Sequence, residues 1–153
     1  GLVDLPLAIG LVGLIGIGSL TGRFVVGHLA DRFGRAHALV GATASLGFSM
    51  LLWWAAPSYL ALAVFALWMG LSYGGVVSLM PAMCMDYFGA RAVSSIIGAL
   101  YTGAAFGNLA GPWLAGRVFD ASGSYALVIL GCAALSAMST MAAWLAGRVA
   151  AVS

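Results

Sequence analysis

Five stretches of this sequence are long and apolar enough to cross a bilayer, and almost no charge lies inside them. They cover about residues 5–30, 36–56, 59–85, 93–119 and 125–147. A spanning helix takes roughly 20 mostly apolar residues. In lipid every backbone polar group must find a partner inside the protein, so helices or a closed barrel are the only ways across. Runs of this length predict helices. The chain is 63% hydrophobic and only 7% charged, against about 25% charged in soluble domains. A soluble fold this apolar would expose large sticky patches. The expectation is an all-α membrane protein, one transmembrane domain over residues 1–153, with the lipid bilayer as its solvent.

The connections are short and hold most of the charge. The second stretch stops at Pro57-Ser58, an uncharged turn. Asp86 and Arg91 mark the next connection, and Arg117 and Asp120 the one after. Pro6 suits the first turn of the first helix, where a missing N–H costs nothing, and Asp4 is placed to cap it. The chain starts at Gly1 and no charged segment precedes the first apolar run, so that run is no signal peptide. A piece of a longer protein is expected. Arg32, Arg35, Arg91 and Arg148 fall on one side of the predicted membrane, with Arg117 against the pattern. The positive-inside rule puts the Arg32 loop and the C-terminus in the cytoplasm, in a plasma or inner membrane. The helix count is then odd, which points to a missing upstream helix, since repeat-built bundles come in even sets.

Glycines recur every fourth residue: Gly18 and Gly22, Gly70 and Gly74, then Gly103, Gly107 and Gly111. Such stripes let a second backbone approach closely. They fit static packing and sliding surfaces equally.

Arg23 is the sharpest candidate for chemistry. It lies eight residues before Asp31, about 12 Å inward at 1.5 Å per residue. Snorkelling covers part of that depth, and an arginine held there costs at least about 2.5–3.5 kcal/mol. Guanidinium is always charged and grips a carboxylate with two parallel hydrogen bonds. Arg23 therefore reads as a substrate-binding residue for an anion, or as half of a structural ion pair. Tyr73, Tyr101 and Asn108 are the next candidates to line a cavity. Asn108 is the most costly to leave in lipid, and Tyr101 sits seven residues earlier on nearly the same face. Ser19, Thr21, Ser72, Ser78 and Thr102 can bond back to their own helix and say little. His28 and His37 flank the loop and read as solvated interfacial residues. Trp53, Trp54 and Tyr59 form an aromatic belt at the Pro57 turn. Pro81 and Pro112 interrupt backbone bonding and predict bends. Cys84 and Cys132 fit no metal or redox spacing.

The function classes this excludes are clear. The net charge of +2 comes from scattered arginines, with no lysine and no glutamate, which argues against nucleic acid. No catalytic triad, metal motif or phosphate loop occurs, so no enzyme, metal or cofactor is expected.

Residues 27–35, GHLADRFGR, resemble the G-x-L-x-D-R-x-G-R loop signature of the major facilitator superfamily: Gly27, Asp31, Arg32, Gly34 and Arg35 all match. The usual further basic residue is absent, since Ala36 and His37 follow. The family is known for twelve-helix secondary transporters made of two six-helix halves. Phe119-Asp120-Ala121-Ser122-Gly123-Ser124-Tyr125 resembles the D-x-x-G-S-Y turn before the twelfth helix of monocarboxylate-transporter-like and oxalate/formate-antiporter-like members. Residues 107–116 (GNLAGPWLAG) also resemble a pattern of the family's fifth helix. The resemblance implies helices eight to twelve, in the C-terminal half, with the N-terminal half of the transporter as partner. It also implies that Arg23 matches an eighth-helix arginine that monocarboxylate-type members use on substrate. Their aspartate one turn earlier is Ser19 here, and the lysine of the oxalate/formate kind is missing.

The expected function is secondary active transport of a small solute by alternating access. The solute would be an organic anion such as a carboxylate, coupled to a proton or a counter-anion. The Gly27–Arg35 loop would act as a conformational latch through salt bridges and a helix dipole. The alternative is a non-transporting helical membrane subunit or sensor, in which Arg23 is buried in an ion pair.

Overall fold

The computed structural model describes residues 4–56 and 58–150. Among the described residues the chain forms four helices: α1 (Leu5–Phe33), α2 (Arg35–Trp54), α3 (Tyr59–Ser122) and α4 (Ala126–Ala150). All four are long and apolar enough to cross a membrane. This is an all-α, multi-pass membrane architecture, as the apolar pattern predicts.

The count differs from the predicted five because the third and fourth stretches run together in α3. A 64-residue helix would extend about 96 Å, some three times the hydrocarbon thickness. It does not run straight. Gly89 leaves the helical region (φ 70°, ψ 170°) and divides α3 into two arms, residues 59–88 and 90–122. The expected connector over 86–91 shrinks to this one residue. Asp86 and Arg91 tolerate helix, whereas a backbone pair of this kind is open essentially to glycine alone. Pro81 and Pro112 lie inside the arms, and neither is the point where helical dihedrals fail.

α1 and α2 are joined through Gly34, at φ 90°, which ends one helix and starts the next. Its N–H donates to the Ala30 carbonyl at 2.9 Å. A side chain is strained at that φ, which explains the second glycine of the loop signature. Asp4 stands at the N-cap of α1, but its side chain makes no capping bond, contrary to expectation. Asp31 lies in the last turn of α1. Pro57 lies outside the described residues. Beside it, the Ser58 hydroxyl caps α3 by accepting from the Ala61 N–H at 3.4 Å. The Phe119–Tyr125 turn is closed by Gly123 in the left-handed region, whose N–H reaches the Phe119 carbonyl at 2.7 Å. The Phe119 and Tyr125 rings stack across it with centroids 4.4 Å apart.

Two glycine pairs set the closest helix contact. Cβ atoms added at Gly18 and Gly22 would strike the backbone of Leu67 and Leu71. Cβ atoms at Gly70 and Gly74 would strike the backbone of Ile15 and Ser19. Ile15 faces Gly70, Ser19 faces Gly74 and Val26 faces Gly75, so the numbering advances together and the two helices are parallel. Lipid tails are as apolar as leucine, so close backbone packing of this kind must hold helices together in place of a hydrophobic drive. Below it Val26, Ala30, Leu39, Ala42, Leu79 and Met83 form a small core shared by α1, α2 and the first arm. Ser45 and Ser72 bond across α2 and α3 at 2.7 Å, and Ser72 also donates to the Trp68 carbonyl. The third stripe behaves differently. Gly103, Gly107 and Gly111 have nothing within 4 Å of a built Cβ, and residues 98–114 are exposed throughout.

Candidate functional site

Arg23 is placed by the glycine contact. Gly22 is buried against Leu71, so the next residue is turned about 100° out of the interface. Arg23 is exposed and has no ion-pair partner among the described residues. It lies between Gly22 and Val26, which meet Leu71 and Gly75 of the first arm, and so stands level with Tyr73. α1 continues to Phe33, ten residues past Arg23, or about 15 Å of helix.

Tyr73 emerges on the same flank as Arg23. In a parallel pair, the residue just after an interface position on one helix and the residue just before one on the other turn the same way. Arg23 follows Gly22, and Tyr73 precedes Gly74. The opposite flank is taken by α2, where Ser45 bonds to Ser72. Arg23 and Tyr73 thus share the side away from α2.

A cavity of about 430 Å³ opens on that side between the two arms of α3. Tyr73, Tyr101 and Asn108 all line it, together with Met80, Pro81 and Ala105. Three of the four residues singled out from the sequence are thereby gathered at one site. The fourth, Arg23, does not line the cavity itself but stands on the flank beside it. The walls are apolar apart from two phenol hydroxyls and one carboxamide. Pro81 sits in the wall, where its ring removes a backbone donor.

The loop residues lie elsewhere. Arg32 is in the last turn of α1, where a cation suits the helix dipole, and Asp31 beside it is not so favoured. Asp31 has no ion pair among the described residues. Gly27 has open space around it and Gly34 makes the turn. Arg35 reaches across to the first arm of α3: its Nη1 donates to both carboxylate oxygens of Asp86, at 2.6 and 2.5 Å. This partner was not singled out from the sequence, because it is 51 residues away. The available signal is topological: Asp86 is the one acid near the end of the third apolar stretch, on the membrane side assigned to Arg35. Both side chains are nearly half exposed, so the pair is worth about 0.2–1 kcal/mol.

A larger cleft of about 650 Å³ lies among α1, α2 and the first arm, with His37 at one end and Ser45 and Ser72 inside. Its remaining named walls are apolar. No group of histidine, cysteine and acid side chains among the described residues has the arrangement of a metal site.

Comparison with known proteins adds the following. The sequence profile described as "Major Facilitator Superfamily" matches residues 4–152. The chain is 33% identical over 125 residues to an Aspergillus flavus protein named MFS transporter asaE, covering 80% of this chain and 28% of that protein. It is 34% identical over 80 residues to human monocarboxylate transporter 2, covering 52% and 17% respectively. It is 28% identical over 109 residues to the MFS-type transporter YhjX of Escherichia coli, covering 70% and 27%. The chain thus spans little more than a quarter, at most, of the length of these relatives.

Proposed function

We propose, from the premise that this chain belongs to the Major Facilitator Superfamily, that it forms part of a secondary transporter for a small organic anion. One observation supports this reading: Arg23 lies within the apolar helix α1, with no ion-pair partner among the described residues, on the flank of Tyr73, which lines the cavity with Tyr101 and Asn108. A permanent cation held at membrane depth costs at least about 2.5–3.5 kcal/mol. A solute carboxylate offsets that cost whenever the site is filled. The relative named monocarboxylate transporter 2 supports the same class of solute.

The alternating-access cycle follows from two further features. The bond from Arg35 to Asp86 ties the α1–α2 loop to α3 three residues before Gly89. When it holds, the loop and the first arm move as one body. When it opens, the arms are free to turn about Gly89. The loop residues Gly27, Asp31, Arg32, Gly34 and Arg35 therefore act on conformation and not on the solute. The remaining helices, here taken as the seventh and the N-terminal half, would close the other side of the site. The fragment would then be helices eight to twelve, in a plasma or inner membrane, with the Arg32 loop and C-terminus cytoplasmic. A proton or a counter-anion would balance the charge moved.

The test is uptake of labelled carboxylates by the intact transporter in proteoliposomes, with Arg23→Ala beside wild type. Wild type should take up at least one carboxylate, and the variant should lose at least nine-tenths of that rate while keeping the same thermal stability. Normal uptake by the variant makes Arg23 structural and ends the anion reading.

A further inference from the structure

We infer that the cleft among α1, α2 and the first arm of α3 holds an acyl chain of an anionic phospholipid, whose phosphate meets Arg32 and His37. The solute reading plays no part in this. The cleft encloses about 650 Å³. Val26, Leu29 and Phe33 of α1 and Ala38, Gly41 and Ala42 of α2 wall it. Ser45 and Ser72 lie at the end away from His37 and already bond to each other at 2.7 Å. The interior therefore calls for an apolar occupant.

Depth separates an acyl chain from a helix. Along α2 the lining runs from His37 to Ser45, eight residues or about 12 Å. The hydrocarbon core is about 30 Å thick, so the cleft reaches through less than one leaflet. A spanning helix from elsewhere would need a groove across both leaflets. A lipid chain needs one that starts at the membrane surface and stops near the middle.

Charge at the mouth selects the headgroup. Lipid tails are as apolar as these walls, so the chain gains little over bulk bilayer, and selection falls to the rim. Arg32 is exposed and has no ion pair among the described residues. Its guanidinium carbon lies 5.8 Å from the centroid of the Phe33 ring, which lines the cleft. His37 lines the same end, and an imidazole N–H donates well to a phosphate oxygen. Gly147 meets Ala36, so Arg148 stands at this end too. Of the acids here, Asp86 is held by Arg35, and Asp31, next to Arg32, reduces the positive field. Basic pockets between membrane helices take anionic headgroups, and each arginine near such a surface is worth about five-fold in binding.

The experiment is native mass spectrometry of the intact transporter in detergent, after incubation with equal amounts of phosphatidylglycerol and phosphatidylcholine bearing the same chains. Wild type should retain phosphatidylglycerol at least about five-fold over phosphatidylcholine, and Arg32→Gln should remove most of that preference. Arg117→Gln, in the second arm of α3, should leave it unchanged. Gly41→Leu puts a side chain into the cleft where a Cβ meets nothing within 4 Å, and should lose the bound lipid. It stays decisive if Arg32→Gln fails to fold. Equal retention of the two lipids by wild type overturns the inference. So does a preference that survives both variants, the result expected if a helix of the remaining protein fills the cleft. Displacement by glycerol phosphate, a headgroup without chains, also overturns it, since the rim would then be a site for a free anion. None of these outcomes bears on Arg23.

Discussion

Replacing Gly18 by alanine is the most direct test of the packing that positions Arg23. The added Cβ would stand 2.5 Å from the Leu67 carbonyl oxygen and 3.1 Å from the Leu71 nitrogen, where ordinary contact begins at 3.4 Å. Both obstacles are backbone and cannot rotate away, so α1 and α3 must part by about 1 Å. A gap of 0.5–1 Å forfeits roughly a quarter to a half of each dispersion contact it opens. Overpacking of this kind costs about 1–3 kcal/mol, and the better helix propensity of alanine returns about 0.8–1 kcal/mol. The net expectation is a loss of up to about 2 kcal/mol. Gly22→Ala and Gly74→Ala should lose at least as much, since their Cβ atoms would sit closer still to backbone. Gly13→Ala and Gly16→Ala provide the contrast, since neither has anything within 4 Å. They should be neutral or up to about 1 kcal/mol more stable. The buried thiol of Cys84 supplies the assay. In a Cys132→Ser background, labelling of Cys84 by a thiol-reactive dye on heating reports loss of the packed state. Equal shifts from Gly16→Ala and Gly18→Ala would refute the close-contact account.

Two further outcomes follow from other parts of the structure. Reversing the ion pair with Arg35→Asp and Asp86→Arg together should restore most of the uptake lost in either single variant, with stability changes within about 1 kcal/mol. No recovery in the double variant makes the contact incidental to transport. Gly89→Ala forces a side chain into a backbone region open essentially to glycine and should cost about 1–3 kcal/mol. Spin labels on the two arms of α3 should also show an altered distance between them, and an unchanged distance removes Gly89 as the hinge.

How far the sequence could be read depended on whether a feature is local. Apolar length located each membrane crossing, because the bilayer imposes it residue by residue. The spacing of Gly18 and Gly22, and of Gly70 and Gly74, pointed to close contact, and those pairs do meet backbone. Gly103, Gly107 and Gly111 carry the same spacing and meet nothing. A stripe reports what a helix permits, not what faces it. Tyr73, Tyr101 and Asn108, picked out as polar groups within apolar stretches, line one cavity, whereas Ser19, Thr21, Ser78 and Thr102 from the same stretches do not. Asp86 read only as a connector charge, since its pairing with Arg35, 51 residues away, is decided by the fold. The break in α3 was placed too broadly for a similar reason. Charge suggested a connector over several residues, whereas one glycine was enough.

The parallel contact between α1 and α3 also bears on how the chain is made. Gly22 leaves the ribosome 52 residues before Gly74. At about 5–20 residues per second, roughly 3–10 s separate them. During that interval the groove at Gly18 and Gly22 is without its partner in the first arm of α3. The mean hydropathy of 1.9 over the most apolar window of α1 helps to hold that helix in the bilayer until that arm arrives. Loss of apolar residues from α1, such as Ile9, Val12 or Leu20, would therefore act first on membrane insertion, before any effect on packing against α3.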